Sequence, residues 1–363
     1  MPAQAGTYAR ECLLRALQRF RRLPASSLTA FEDQRMKNLA LPEDWPIITD
    51  GTEFEPAQAA LESAGLSDGL PLAPPTERRL AAMLAGVSDP ALSHGFMPPL
   101  FGDLTTAAVA YQCVLAGCRP AEMHVVLTAA IACLEPEFNL LGLMTTTGSA
   151  AVATLVHGPI VERLGMNAST NCMGPGNRAN ASIGRTVGLV LRNIGGARAE
   201  SGDMATVGQP GKYAFCFAEG VGAPYAPLHV RRGVGATSSA ITVLGVSGTA
   251  EVLPAVGRDT PESILDPVAA SMRTAFLVNG AAKQPEPPEQ VFVLPPELAH
   301  QIAAKGWDLQ RICRHLFEAS KADGRPITTS PDTILPIVTG GPGVKMCHLP
   351  LWGGGSRMVT RVA

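Results

Sequence analysis

The chain has 363 residues, and its 29 lysines and arginines against 31 aspartates and glutamates leave a formal net charge of -2. This balance argues against a dedicated nucleic-acid-binding protein, which normally carries a basic face or tail. Hydrophobic residues make up 46% of the chain, so its 37 glycines and 31 prolines indicate many tight turns between packed elements and not disorder. No run of about eighteen apolar residues occurs, so a membrane span is not expected.

Residues 1–67 are predicted to form an N-terminal helical arm and a linker. Within them, residues 8–23 place apolar side chains on one side of a helix and arginines on the other. The arginines also suit a transit peptide, but Glu11 favours an interaction arm. The segment lacks the apolar core and cleavage site of a secretory signal. Residues 45–50 (WPIITD) have the composition of a short strand.

Residues 68–200 are predicted to form a helix-rich core with a glycine-rich loop. The apolar stretches 105–116 and 121–134 are expected to be helices, because Gly117 suits the end of the first and Pro120 suits the first turn of the second. A longer helix is expected after the Gly-Pro-Gly sequence at 174–176, because the apolar residues that follow recur with helical spacing.

Residues 201–363 are predicted to be an α/β portion in which strands and helices alternate. The predicted strands cover 213–219, 239–246, 290–294 and 334–340, and the predicted helices cover 262–277, 296–305 and 308–321. The fold class expected for the whole chain is therefore α/β, with α+β as the alternative.

The glycine-rich loop before the long helix is the most distinctive local pattern. The sequence from Gly174 to Ala179 matches G-x-G-x-x-A, but no apolar strand precedes it, which excludes a dinucleotide-binding fingerprint. Backbone N–H groups at a helix start favour an anion, and an arginine can hold a carboxylate with two hydrogen bonds. The candidate substrate-binding residues of this loop are Gly174, Gly176, Asn177 and Arg178. The alternative is a tight turn whose arginine pairs with an acidic side chain of the protein.

Other turns add candidates for the same kind of site. Thr146 lies in a hydroxyl-rich turn, which could equally cap a helix. Gly341 and Lys345 belong to the glycine-rich turn at 340–345, which lacks the Gly-Lys-Ser/Thr ending of a P-loop. A further glycine-rich turn occupies 208–212. Several such turns in one chain predict a small-molecule site walled by backbone amides.

Three residues are candidates for catalysis. Cys118 lies between two predicted helices and beside Arg119, where the helix dipole and the positive charge favour a nucleophilic thiolate, although a buried inert thiol is the alternative. Glu219 ends an apolar strand and His229 follows it, so both are candidates for proton transfer. The alternative for Glu219 is a structural ion pair with an arginine.

No metal site and no cofactor are predicted. The sequence contains no C-x-x-C, no H-E-x-x-H and no pair of histidines at metal-ligand spacing. Its eight cysteines are too sparse for a disulfide scaffold, so they are expected to be reduced thiols in a cytoplasmic protein.

Several segments together resemble a bacterial protein family that is itself similar to the large companion proteins of small UGSC-type (seleno)proteins. The segments are AGCRPAEMHVVLTAAI (116–131), HGPIVERLGMN (157–167), GPGNRANASIGR (174–185) and GQPGKYAFCFAE (208–219). The resemblance covers most of residues 68–361. It implies a small partner that carries a thiol or selenol, and it supports Cys118, Asn177, Arg178 and Glu219 as site residues. After Glu219 the chain has Gly-Val-Gly where the family pattern is more polar and acidic.

These observations predict a cytoplasmic enzyme that acts on a small polar, anionic metabolite. Lyase or hydrolase chemistry is favoured, with Cys118 as a candidate nucleophile. The alternative is a non-catalytic or half-site subunit that binds the small thiol- or selenol-bearing companion. A homo-oligomer is expected, without nucleic-acid or membrane partners.

Overall fold

The computed structural model describes residues 41–257, 259–284 and 286–363, so the predicted helix at 8–23 lies outside the described residues. The fold is mixed α/β, as predicted. The helices of the described residues are α1 (Phe54–Ser63), α2 (Glu77–Met83), α3 (Thr106–Leu115), α4 (Pro120–Ala132), α5 (Leu140–Thr145), α6 (Ile160–Arg163), α7 (Arg178–Leu189), α8 (Leu228–Arg231), α9 (Pro261–Val278), α10 (Pro296–Ala304) and α11 (Leu309–Ala319). The strands are β1 (Ser93–Met97), β2 (Gly102–Thr105), β3 (Ala151–His157), β4 (Cys216–Ala218), β5 (Ala240–Val246), β6 (Ala250–Val252), β7 (Gln290–Leu294), β8 (Ile334–Val338), β9 (Met346–Leu349) and β10 (Val359–Val362).

Local signals account for the helices α3 and α4. The Thr105 side chain caps α3 by accepting a hydrogen bond from the backbone N–H of Ala108. Gly117, with φ +79°, follows the end of this helix in a conformation that glycine adopts without strain. Pro120 then opens α4, where its missing N–H costs no helical hydrogen bond. The two predicted helices and the turn between them are confirmed.

The described residues form two four-stranded sheets, and the first has the strand order β10-β5-β3-β4. Its β3 and β4 are parallel, whereas β5 runs antiparallel to both β3 and β10. The crossover from β3 to β4 contains α6 and α7. The boundary predicted between 68–200 and 201–363 divides this sheet, because β3 lies before it and the other three strands lie after it.

The second sheet repeats this arrangement with the order β6-β9-β7-β8. Its β7 and β8 are parallel, and β9 runs antiparallel to β7 and β6. The last strand of each repeat belongs to the other sheet. β6 follows β5 along the chain but pairs with β9, and β10 follows β9 but pairs with β5. The described part of the chain therefore contains a topological repeat with exchanged edge strands.

The two sheets pack face to face between two layers of helices. Alternate residues of both sheets meet in one apolar layer, which includes Leu155, Phe217, Leu244, Val291 and Ile337. Helices α3, α4 and α7 cover the outer face of the first sheet, and α9, α10 and α11 cover that of the second. The order of layers is helix, sheet, sheet, helix, and each sheet has one face toward the other sheet.

The strand predicted at 45–50 is wrong. This segment has no regular secondary structure, although Trp45 and Ile48 are buried. The Trp45 ring lies 4.8 Å from that of Tyr111, measured between centroids, and the Tyr111 hydroxyl donates to the carbonyl of Pro46. The apolar residues of this segment therefore pack on α3 and do not pair in a sheet.

Within the described residues, no single helix has both the length and the apolar character needed to cross a membrane. One bent combination, formed by Pro120–Ala132 and Pro136–Thr145 at 76°, satisfies those criteria by length and composition only.

Candidate functional site

His157 and Glu219 meet at the carboxyl ends of two parallel strands. His157 is the last residue of β3, and Glu219 follows directly after β4. Because these strands are parallel neighbours, both side chains emerge at the same edge of the sheet, and Nδ1 of His157 lies 2.7 Å from Oε2 of Glu219. Both side chains are buried, so this is an imidazole–carboxylate pair shielded from water.

The Glu219 carboxylate is fixed by the start of α8. The backbone N–H of Leu228 donates to both carboxylate oxygens, at 3.0 Å and 2.9 Å. Burial lowers the pKa of the neighbouring Arg231, and the negative charge of Glu219 opposes that effect. The Arg231 guanidinium donates to the carbonyl of Pro336. Glu219 is therefore held by a backbone amide and the imidazole, with a positive charge nearby.

The second nitrogen of His157 contacts a hydroxyl in the neighbouring strand. Nε2 of His157 lies 2.8 Å from Oγ1 of Thr242, and this hydroxyl lies 2.8 Å from that of Thr360. Carboxylate, imidazole and hydroxyl stand in the order found in nucleophilic triads. Thr242, however, lies in the middle of β5, and its hydroxyl is taken up by the His157 imidazole and the Thr360 hydroxyl. Its hydroxyl therefore orients the imidazole.

His229 lies in α8 with its ring beside that of His157. The two ring centroids are 5.3 Å apart, and His229 is 2% exposed. Neither ring nitrogen of His229 has a partner with hydrogen-bond geometry among the described residues. Burial, followed by the charge of His157, lowers the pKa of His229, against the opposing effect of Glu219 and of the Ala236 backbone. Burial therefore favours the neutral imidazole, and the lack of a partner with normal hydrogen-bond geometry at either nitrogen is costly in a folded interior.

His157, Glu219 and His229 form one compact donor set. One ligand atom from each lies within 4.8 Å of the others, and all three side chains are buried. The exposed or half-buried glycines Gly220, Gly222, Gly233 and Gly235 lie in the two loops that flank α8. We refer to the three residues as the His-Glu-His cluster.

Cys118 lies on the other side of the first sheet from this cluster. It packs with Cys216 and Ala218 of β4 against the helix layer. Because side chains alternate along a strand, Phe217 and Glu219 point the opposite way, toward the second sheet. The three predicted catalytic residues are therefore divided, with Glu219 and His229 together and Cys118 apart.

The buried Cys118 thiol contacts Cys113 and Thr186, and Arg119 is not among the causes that shift its pKa. A hydrogen bond with the Cys113 thiol is the main cause that lowers the pKa of Cys118, whereas burial acts in the opposite direction. Its Sγ also lies 3.1 Å from Oγ1 of Thr186. Thr186 donates its own proton to the carbonyl of Ser182, so toward Cys118 this hydroxyl acts as an acceptor, which suits a protonated thiol and not a thiolate.

Arg178 binds a carboxylate of the protein itself. Its guanidinium donates to both oxygens of Glu122, one of them at 2.9 Å, and this carboxylate also accepts from the backbone N–H of Arg119 at 2.8 Å. Burial would raise the pKa of Glu122, but the hydrogen bonds from Arg178 and Arg119 bring it below its ordinary value. This ion pair is the alternative stated for Arg178, in which the arginine holds an acidic side chain of the protein and not a substrate.

The other residues of the Gly-Pro-Gly loop hold the loop itself. The Asn177 side chain caps α7 by accepting from the backbone N–H of Asn180, and it donates to the carbonyl of Gly165. Gly174 packs so closely on Asn171 that an added Cβ would lie 2.0 Å from the amide oxygen. Gly176 has φ +122°. These contacts explain why the loop has this sequence without a bound ligand.

Thr146, Gly341 and Lys345 each contact another residue of the protein. The Thr146 hydroxyl accepts from the backbone N–H of Gly148 within its turn. Gly341 packs on Thr170, where an added Cβ would lie 2.1 Å from the hydroxyl oxygen. Lys345 forms an exposed ion pair of 3.0 Å with Glu251. Each therefore has a local structural partner.

A cavity of about 600 Å³ lies at the opposite end of the first sheet. The turn at 208–211 lines it, together with Lys212, Arg192, Asp68 and Asp203. Lys212 pairs with Asp203 and Arg185 pairs with Asp68, whereas the Arg192 guanidinium donates to the carbonyl of Gly65 and adds a positive charge to this wall. The cavity touches the first residues of β3, whereas His157 is the last, so about 20 Å of strand separates it from the His-Glu-His cluster.

The comparison with known proteins returned no match to any protein-family model and none to any curated protein. The site is therefore defined by its geometry.

Sequence reasoning singled out Glu219 and His229 but missed their partners His157 and Thr242. A signal for His157 was present, because it ends an apolar run before a glycine, just as Glu219 ends one. Glu122, the acid that Arg178 holds, was also missed. Glu122 lies three residues after Arg119, the N-cap residue of α4, and this spacing was the available signal.

Proposed function

We propose that the protein is an enzyme that acts on a small polar, anionic metabolite by hydrolase- or lyase-type chemistry, with the His-Glu-His cluster as its reaction centre. The observation that carries the proposal is the buried His157–Glu219 pair at 2.7 Å beside the unpartnered ring of His229. Hydrolysis and elimination both require a group that takes a proton and a group that returns it.

The position of the cluster supports this assignment. In open α/β sheets, ligands bind outside the carboxyl ends of parallel strands. The β4 end meets the β8 end of the second sheet, since the backbone N–H of Gly220 donates to the carbonyl of Val338 and the Thr339 hydroxyl donates to that of Ala218. The carboxyl ends of both parallel pairs thus converge near Glu219.

The division of the candidate catalytic residues narrows the mechanism. A thiol at Cys118 and a carboxylate at Glu219 lie on opposite faces of one sheet, so they do not act on the same bond. We therefore assign proton transfer to the His-Glu-His cluster and give Cys118 no step in it. Cys118 then serves as the matched control for Glu219.

The test uses the purified full chain and a panel of small carboxylate metabolites, with consumption followed by mass spectrometry. We expect Glu219→Gln to lower turnover by about 10²- to 10⁴-fold, the usual contribution of an acid–base group. Cys118→Ser is expected to keep turnover within about threefold of the wild type, since it removes no acid–base group. Circular dichroism must show both variants folded. Loss of turnover in Cys118→Ser with full activity in Glu219→Gln would overturn the proposal.

A second proposal is a partner-binding subunit, and one observation favours it. Leu92, Phe96 and Phe101 around the β1–β2 hairpin are 51%, 65% and 55% exposed. Several exposed large apolar side chains close together are typical of interaction surfaces. Sedimentation of the chain alone, and mixed with a small thiol-bearing companion protein, separates a homo-oligomer from a mixed complex. Phe96→Ser should weaken whichever association is found, and an unchanged association would exclude this surface.

We also propose a cytoplasmic location. The seven cysteines of the described residues are all free thiols, and six of them are buried. Free thiols persist in reducing compartments, which is what supports the proposal.

A further inference from the structure

We propose that the His-Glu-His cluster binds one divalent first-row transition metal ion through His157 Nδ1, a Glu219 oxygen and a ring nitrogen of His229. The inference deepens the proposed function, because it rests on the same site and names the ion that would polarise a water or a substrate oxygen there.

The donor set matches the chemistry of such ions. Two imidazoles and one carboxylate are the protein ligands of several catalytic zinc sites and of non-haem ferrous sites, in which at least one coordination position stays open. Four-coordinate zinc with bonds of about 2.0 to 2.2 Å places its donors about 3.4 Å apart. The donor atoms of the cluster lie within 4.8 Å of one another, at most about 1.4 Å beyond that spacing.

His229 supplies the independent argument. An imidazole that is 2% exposed, with no partner of normal hydrogen-bond geometry at either nitrogen, is an expensive feature unless something binds it. Its ring lies beside His157 and on the short helix whose first N–H holds Glu219. A metal ion between the three residues gives this ring a partner without any other change in the fold.

Thr242 prepares His157 for the same role. When Nε2 of His157 donates to the Thr242 hydroxyl, Nδ1 carries a lone pair directed at Glu219. The Thr242 hydroxyl then donates its own hydrogen bond to the hydroxyl of Thr360, 2.8 Å away. Histidines that bind metals are commonly oriented by a hydrogen bond at the other nitrogen. In the metal-free site a hydrogen bond of 2.7 Å joins Nδ1 to Glu219, and the ion would take the place of this contact.

The experiment titrates the chelator-treated full chain with Co²⁺ and follows the visible absorption of the bound ion, with Zn²⁺ as a competitor. We expect one ion per chain. Thr242→Val should weaken Co²⁺ binding about 10- to 100-fold, the usual effect of removing a hydrogen bond to a metal-bound histidine. His229→Ala should weaken it at least as much. His348→Gln alters another buried histidine, outside the cluster, and should leave binding unchanged.

Two outcomes overturn the metal inference. One is a wild-type chain that binds no Co²⁺ or Zn²⁺ at micromolar concentrations, and the other is binding that His229→Ala leaves intact while circular dichroism shows the variant folded. The outcome also separates this inference from the proposed function. Turnover that persists in chelator and still depends on Glu219 would overturn the metal inference and support the proposed enzymatic function. Binding of one ion per chain, without any turnover that depends on Glu219, would support the metal inference and overturn the proposed function.

Discussion

His348 should lower the free energy of unfolding of the protein in mildly acidic solution. The residue is fully buried in β9, its Nδ1 lies 3.0 Å from the Ser271 hydroxyl, and its Nε2 has no partner among the described residues. Burial lowers the pKa of His348 from 6.5 to about 4. Above pH 6.5 the ring is neutral in both the folded and the unfolded chain. Between pH 6.5 and 4 only the unfolded chain takes up the proton, so stability falls as the pH falls.

The magnitude follows from the two pKa values of His348. At about 1.4 kcal/mol per pH unit, the difference between 6.5 and about 4 corresponds to about 3 kcal/mol, of which about 2 kcal/mol is lost between pH 7 and pH 4.5. Urea unfolding at the two pH values measures the loss. His348→Gln, which keeps a polar group near Ser271, should lose about 2 kcal/mol less than the wild type over the same interval. Equal losses in both proteins would refute the reasoning.

Two further substitutions test the packing around the first sheet. Arg178→Met leaves the Glu122 carboxylate buried without its ion pair, and because Arg178 is itself 40% exposed we expect a loss of about 2 kcal/mol in urea unfolding, less than for a fully buried pair. Adding Glu122→Gln should recover part of this loss, and no recovery would contradict the explanation. Gly184→Ala should destabilise by about 1 to 3 kcal/mol despite the better helix propensity of alanine, because the new Cβ would lie 2.9 Å from the backbone nitrogen of Phe215. Gly248→Ala, with no atom within 4 Å of the new Cβ, is the control, and equal melting temperatures for the two variants would disprove the steric argument.

Much of the secondary structure could be predicted from the sequence, because its signals are local. The strand predicted at 290–294 coincides with β7, since a continuous apolar run bounded by prolines has few other structures open to it. The helix predicted at 262–277 matches α9, which Thr260 caps and Pro261 opens. The segment 45–50 failed because its apolar residues are buried by contact with a helix, and composition does not distinguish that from a strand.

The candidate site was only partly predictable, for a reason that lies in the topology. Glu219 and His229 are close in sequence, so a strand end and the following turn could suggest them. His157 lies 62 residues before Glu219, and only the parallel pairing of β3 with β4 brings the two together. The acid for Arg178 likewise comes from α4, 56 residues away. Residue types indicate which chemical groups the chain contains, but the strand order decides which of these groups come into contact.

The exchange of β6 and β10 between the sheets has a consequence for how the molecule comes apart. Neither sheet can be completed from one continuous half of the chain, because each needs an edge strand from the other half. Melting of either half would strip a strand from its neighbour and expose unpaired backbone there. Each sheet thus depends on the other half of the chain for its edge strand. Unfolding of the two sheets is therefore expected to be a single cooperative event.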